Sequence, residues 1–345
     1  MSNNEPTTSN GEKSPHDPTS NGLWIEGSKL DEWDKSISWT VFSLELGRFF
    51  ELFLTVPGTW FGLPVPAFLM SSFLTWYHRV TLDASQDMEW VKESLGINNL
   101  DHWTVDFLKS WGINSYDAFL FSVICMSLVL GWTVLFFRYL LKEEIERAYK
   151  INGNLLIPAL LLTVWFGKNY SPKGFKVSTF FIVSWMTAQA ITSFLKTVFA
   201  RMRPAVAHAS AKQVNGVKRA FPSLRTLLAV GESSLESFPS GDSVGAACFS
   251  CVLYLIQAPM WTWGICSVTA FARMYFHAHH LLDVIAGLLI GWIVPGALYM
   301  TLGLYYFDFL HTAVATALFI LFIVRLQRLK PKLPPHLQVK GRKGF

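Results

Sequence analysis

Charge is scarce in this chain. Only 15% of its 345 residues are charged, while 51% are hydrophobic and 15% aromatic. Soluble domains carry roughly 25% charged residues, so this composition excludes an ordinary water-facing surface and points to a polytopic membrane protein. No nucleic-acid partner is expected; the partners expected are membrane lipids and a lipid substrate. Cysteine is scarce too. Cys125, Cys248, Cys251 and Cys266 all fall inside apolar runs, so buried thiols are expected in place of a disulfide framework. Cys248 and Cys251 form a CxxC without a second pair or nearby histidines, which reads as helix packing before metal or redox chemistry. Residues 1–30 lack an apolar h-region and are rich in Ser, Thr, Asn, Pro and Gly; they read as a disordered tail, not a signal peptide.

Long apolar runs are abundant. About eight occur, at roughly 49–76, 117–137, 153–167, 177–195, 243–258, 260–276, 280–304 and 308–324, against the ~20 apolar residues a span needs. Residues 31–48 have amphipathic helical character and are expected along the membrane interface. The fold class expected is therefore an all-α polytopic membrane bundle. Alternating eight spans puts 1–48, 138–152, 196–242 and 325–345 on one side. That side holds 22 of the 29 Lys and Arg residues, so it is expected to be cytoplasmic. The seven basic residues after position 324, with no acidic residue among them, also suit anionic headgroups.

Three polar stretches interrupt this pattern, and the alternation brings them to the same side. The first runs from Lys196 to Arg203-Pro204. Lys196 and Arg203 are seven residues apart, two turns on one helical face, and together could neutralise a phosphate dianion; Pro204 is expected to end the helix at Arg203. The second, Phe238-Pro239-Ser240-Gly241-Asp242, precedes an apolar helix, whose N-terminal amides and a serine hydroxyl make an anion cradle. The third runs from Arg273 through His279 to Asp283. His279 and Asp283 are spaced i, i+4, so the carboxylate could accept from one imidazole nitrogen and leave the other as a nucleophile. Each stretch alone is also what an ordinary helix end looks like: basic residues, an N-cap, an interfacial His–Asp pair.

Read together, the stretches resemble the signature of the type 2 phosphatidic acid phosphatases, a superfamily shared with vanadium haloperoxidases. The family pattern Lys-x6-Arg-Pro is met at Lys196, Arg203 and Pro204. Pro-Ser-Gly-His is met at Pro239, Ser240 and Gly241, with Asp242 in place of His. Ser-Arg-x5-His-x3-Asp is met at Arg273, His279 and Asp283, with Ala272 in place of Ser. The resemblance implies a six-helix phosphatase core over 117–304, flanked by a tail and interfacial segment (1–48), an extra span with a polar loop (49–116) and a last span with a basic tail (305–345). It implies metal-independent hydrolysis of a lipid phosphate, without a cofactor, through a phosphohistidine at His279 oriented by Asp283. Lys196, Arg203, Ser240, Gly241 and Arg273 would hold the phosphate. The general acid would stand at Asp242, where a carboxyl group donates a proton only if its pKa is raised; three nearby cations push it the other way. Three outcomes stay open: Asp242 is a working acid; His208, His280 or water replaces it; or the protein is slow or inactive. A lipid phosphotransferase and a lipid-binding scaffold are the alternative functions.

Overall fold

The computed structural model describes residues 23–25, 27–59, 61–82, 171–204, 235–258 and 260–329, with single helical positions between 123 and 138. Among the described residues every regular element is helical: α1 (Lys29–Phe42), α2 (Arg48–Thr59), α3 (Pro64–Leu82), α4 (Pro172–Phe199), α5 (Gly241–Leu255), α6 (Gly264–Tyr275), α7 (Leu281–Leu302) and α8 (Phe309–Gln327), with a 3₁₀ turn at Met260–Trp263. The all-α bundle read from the sequence is what forms. α4, α7 and α8 are each long and apolar enough to cross a membrane. The expected span 153–167, the tails 1–22 and 330–345, His208 and Cys125 lie outside the described residues, as does most of 117–137. Cys248, Cys251 and Cys266 are buried free thiols.

Local sequence explains where the elements begin and end. Ser171 opens α4, its Oγ accepting the Gly174 N–H at 3.0 Å, with Pro172 in the first turn where no N–H is missed. The helix then stops at Phe199, because Ala200 adopts a left-handed conformation (φ 46°) with its N–H on the Lys196 carbonyl. This is short of the expected end at Arg203, so Lys196 and Arg203 do not share a helical face. The expected single span 49–76 is instead two helices, α2 and α3, with Phe61, Gly62 and Leu63 in the break before α3. Phe61 from that break enters the core, where its carbonyl accepts the Trp185 indole N–H at 3.0 Å.

The most extensive helix packing joins α5 to α7, followed by α3 on α4. Glycine lets α5 and α7 meet backbone to backbone. A Cβ on Gly287 would stand 2.5 Å from the Ser240 carbonyl, and one on Gly291 would stand 2.4 Å from that of Val244. These two glycines form a G-x-x-x-G ridge, a small-residue device of membrane helix contacts. The packing brings the C-termini of α4 and α6 and the N-termini of α5 and α7 to one end of the bundle. Gln189 Nε2 donates to the Gly241 carbonyl there (2.8 Å), and Ser240 N donates to the Asp283 carbonyl (2.8 Å). The interfacial helix expected at 31–48 docks on this end as α1. Its Ser38 Oγ and Asp34 Oδ1 accept the Leu281 and Leu282 amides (2.9 and 3.0 Å), satisfying orphan donors at the start of α7 from another helix.

Candidate active site

Arg273 sits in the last turn of α6, and the chain folds back over its carbonyl, which takes the N–H groups of Ala278 and His279 (3.1 and 3.3 Å). That tight turn, with His277 at φ 57°, brings His279 beside Arg273 before α7 begins at Leu281. His279 is therefore outside the helix, and the i, i+4 face on which it was expected to meet Asp283 does not form. Its Nδ1 stands 3.8 Å from Asp283 Oδ2 but 2.7 Å from the carbonyl oxygen of Ser237. A carbonyl only accepts, so Nδ1 carries the proton and Nε2 presents its lone pair, here accepting from Arg273 Nη2 at 3.0 Å. Burial first, and the Arg273 charge second, hold the His279 imidazole well below its ordinary pKa. The ring is neutral at neutral pH, as a nucleophile requires.

Asp283 is fully buried and engaged on both oxygens. Oδ1 accepts from Arg201 Nη1 at 2.6 Å; Oδ2 accepts the Ser237 hydroxyl and the His280 amide at 2.8 Å. Arg201 is also buried. Its Nη2 reaches Asp34 Oδ2 (2.7 Å) and Asp31 Oδ1 (3.1 Å), and Trp24 stacks 3.8 Å from the guanidinium carbon. Burial works against the charge of Arg201, but Asp283 and Asp34 outweigh it and raise the arginine pKa further.

The phosphate-binding candidates surround His279 on the other side. Arg203 is buried just past α4, and both Arg203 and Arg273 act electrostatically on His279. Lys196, in the last turn of α4, lies within electrostatic reach of Arg203, Glu236, Asp242 and Arg273. A Cβ on Gly241 would stand 3.2 Å from Gln189 Oε1 and in ordinary contact, 3.8 Å, with Lys196 Nζ, so glycine there leaves room for Gln189. Ser240 is the N-cap of α5: its Oγ accepts from Ser243 N (3.4 Å) and Ser243 Oγ (3.0 Å), and its own O–H can still donate. Asp242 follows in the first turn of α5. Its Oδ1 accepts the Gly62 amide at 2.8 Å and its Oδ2 pairs with Arg273 Nη1 at 3.0 Å. Arg273 Nη1 also donates to the Gly58 carbonyl, while Arg273 Nε has no partner among the described residues.

All eight expected site residues thus gather at one end of the bundle. Arg201, Asp31, Asp34, Ser237, Gln189 and the break between α2 and α3 were not read from the sequence. A faint signal was there for α1, whose buried residues Asp31, Asp34, Ser38 and Phe42 follow a helical stripe that is acidic at one end.

Residues 178–306 match the family model described as the PAP2 superfamily. No curated protein and no solved structure matches the chain.

Proposed function

With residues 178–306 placing the chain in the PAP2 superfamily, whose members are generally phosphatases, we propose that it is an integral-membrane phosphatase that hydrolyses a lipid phosphate through a phosphohistidine at His279. The observation that carries this reading is the neutral His279, its Nδ1–H tied to the Ser237 carbonyl and its Nε2 lone pair turned toward Arg273. A phosphate oxygen arriving beside Nε2 takes over the Arg273 N–H and exposes the lone pair. Nε2 then bonds phosphorus as the bond to the lipid alkoxide breaks. Lys196, Arg203, Arg273 and Ser240 stabilise the charge on the equatorial oxygens, where preorganised donors contribute most. Water attacks phosphorus next, breaks the P–N bond and releases phosphate. Asp242 accepts on both oxygens and has no proton to give in this arrangement, so water protonates the leaving group and turnover is slow for this chemistry. The setting supports a lipid substrate: the site lies at the end of α4 and α7, and α8 is almost wholly unburied and apolar, as a lipid-facing helix is.

The test is phosphate release in detergent, without Mg²⁺, from phosphatidate, lysophosphatidate, sphingoid-base phosphates and prenyl diphosphates. Turnover that disappears in His279→Ala supports the assignment; turnover that survives it refutes the nucleophile. The Asp242–Arg273 pair favours a second reading, a lipid-binding scaffold with a closed phosphate site. Lipid binding without turnover on any substrate would establish that reading.

A further inference from the structure

We propose that Arg201 is a positioning residue for the His279 nucleophile, held in place by Asp31 and Asp34 of α1. The proposal rests on the phosphatase reading above and adds to it a dependence on residues that lie outside the family match.

Arg201 sits between the two phosphate-binding candidates of its stretch, Lys196 and Arg203, yet it has no room for a phosphate. Its side chain is 1% exposed, and three carboxylates take its two Nη nitrogens. What it does instead is hold both parts of the support beneath His279. The guanidinium fixes Asp283 Oδ1 (2.6 Å), and the Arg201 carbonyl accepts the Ser237 N–H (3.0 Å). Ser237 then donates its hydroxyl to the other oxygen of Asp283 and offers its carbonyl to His279 Nδ1 (2.7 Å). Ser237 thus links Asp283 to the imidazole, beside the direct 3.8 Å approach of Asp283 Oδ2 to Nδ1, and Arg201 contacts both Asp283 and Ser237. A carbonyl placed by only one of these bonds could swing away. With both, the tautomer that leaves Nε2 unprotonated is fixed.

Arg201 is in turn set by α1. Asp34 bridges Arg201 Nη2 and the Leu282 amide, so one carboxylate locks the arginine to the first turn of α7, which carries Asp283. Asp31 adds a second contact and is oriented by the Trp24 indole, the Gly27 amide and Lys35. Trp24 closes the stack over the guanidinium and reaches Phe238, 5.6 Å away. A planar fork suits this role in a way an ammonium does not.

The experiment uses the full-length chain in detergent with Arg201→Lys, Arg201→Gln and Asp34→Asn. Three quantities are read: kcat and KM on dioctanoyl phosphatidate, inhibition by inorganic phosphate, and the ¹⁵N resonances of His279 in histidine-labelled protein, assigned by their loss in His279→Gln. A positioning role lowers kcat about tenfold or more, leaves KM and phosphate inhibition within about twofold, and removes the Nδ1–H tautomer signature. Arg201→Lys is expected to retain more activity than Arg201→Gln, since it keeps the charge. Should Arg201→Gln fail to fold, Asp34→Asn, nearly isosteric, reads the same chain of contacts. Unchanged kcat and an unchanged His279 tautomer in Asp34→Asn and Arg201→Lys would overturn the proposal, as would a loss confined to KM. If the wild type turns over nothing yet the tautomer shifts in the variants, the phosphatase reading fails and the positioning role stands. If the wild type is active through His279 and the tautomer does not move, the positioning role fails alone.

Discussion

At Asp242 one carboxylate answers two different elements, the Gly62 amide between α2 and α3 and the Arg273 guanidinium at the end of α6. Its position competes with an incoming phosphate for Arg273. Asp242→Asn removes the charge of this competitor, and inorganic phosphate should then inhibit several-fold more strongly, measured as a lower Ki. Asp242→His supplies a proton donor as well. General acids contribute about 10²–10⁴ in rate, so kcat should rise by about tenfold or more even if the new imidazole is imperfectly placed. The neighbouring histidine gives a second measurable consequence. Burial and Arg273 keep folded His279 neutral, whereas the unfolded side chain takes a proton near pH ~6.5. Below that pH the unfolded state binds more protons, so this group makes stability fall as pH is lowered through 6.5 and leaves it flat above about that value. His279→Gln should flatten the acid side of a plot of thermal midpoint against pH; an unchanged slope would mean the imidazole is not held neutral. The candidate residues were legible in the sequence because their types and order resemble the family pattern. Their contacts were not, because the spacing arguments assumed helix through each stretch. The chain leaves α4 at Ala200, so Arg201 turns inward, and it leaves α6 at Tyr275 and does not resume helix until Leu281, so His279 meets Ser237.

Elements carry the site by how closely they approach, and the approach is set by glycine. A Cβ on Gly245 of α5 would fall 1.9 Å from the Phe61 carbonyl, whereas Gly296 of α7 has nothing within 4 Å. Gly245→Ala must push the Phe61–Gly62 segment away, and with it the amide that holds Asp242. Overpacking of this kind costs about 1–3 kcal/mol, which should appear as a lowered thermal midpoint together with altered phosphate inhibition. Gly296→Ala should cost nothing on either readout. Alanine is the better helix former, so comparable loss in both variants would show that the close approach at Gly245 is not what decides. The glycine ridge on α7 could be seen in the sequence as Gly287 and Gly291. The contact at Gly245 was hidden: Phe61 lies 184 positions before it, and although Pro57-Gly58, Gly62, Pro64 and Pro66 mark a break in the apolar run from 49 to 76, nothing in them says that a carbonyl enters between α4 and α5 there. α1 shows the same limit. Its amphipathic stripe was visible, but Asp34 accepts an amide 248 positions away, and nothing local distinguishes an acid that faces water from one that caps another helix.

For the whole molecule, the direction of the helices decides from which side of a membrane the candidate site is reached. α4 ends at the candidate-site end and α7 starts there. α7 then runs to the opposite end, and α8 returns. Thr179 near the start of α4 donates to the Phe307 carbonyl just before α8, and Trp185 meets Phe319 further along, so α4 and α8 run in the same direction. Leu329, just past α8, therefore marks the level of His279, and Tyr306 marks the far end; both are exposed. The seven basic residues from Arg325 onward favour the cytoplasm for the Leu329 end. With the wild-type chain as background, a membrane-impermeant maleimide should label Tyr306→Cys on intact cells and reach Leu329→Cys only after permeabilisation. The reverse pattern would put the phosphate site on the outer face and restrict its substrates to lipid phosphates presented there. Labelling of both from outside would show that α8 does not cross at all, leaving α4 and α7 as the candidate spans and α8 as a surface-lying helix.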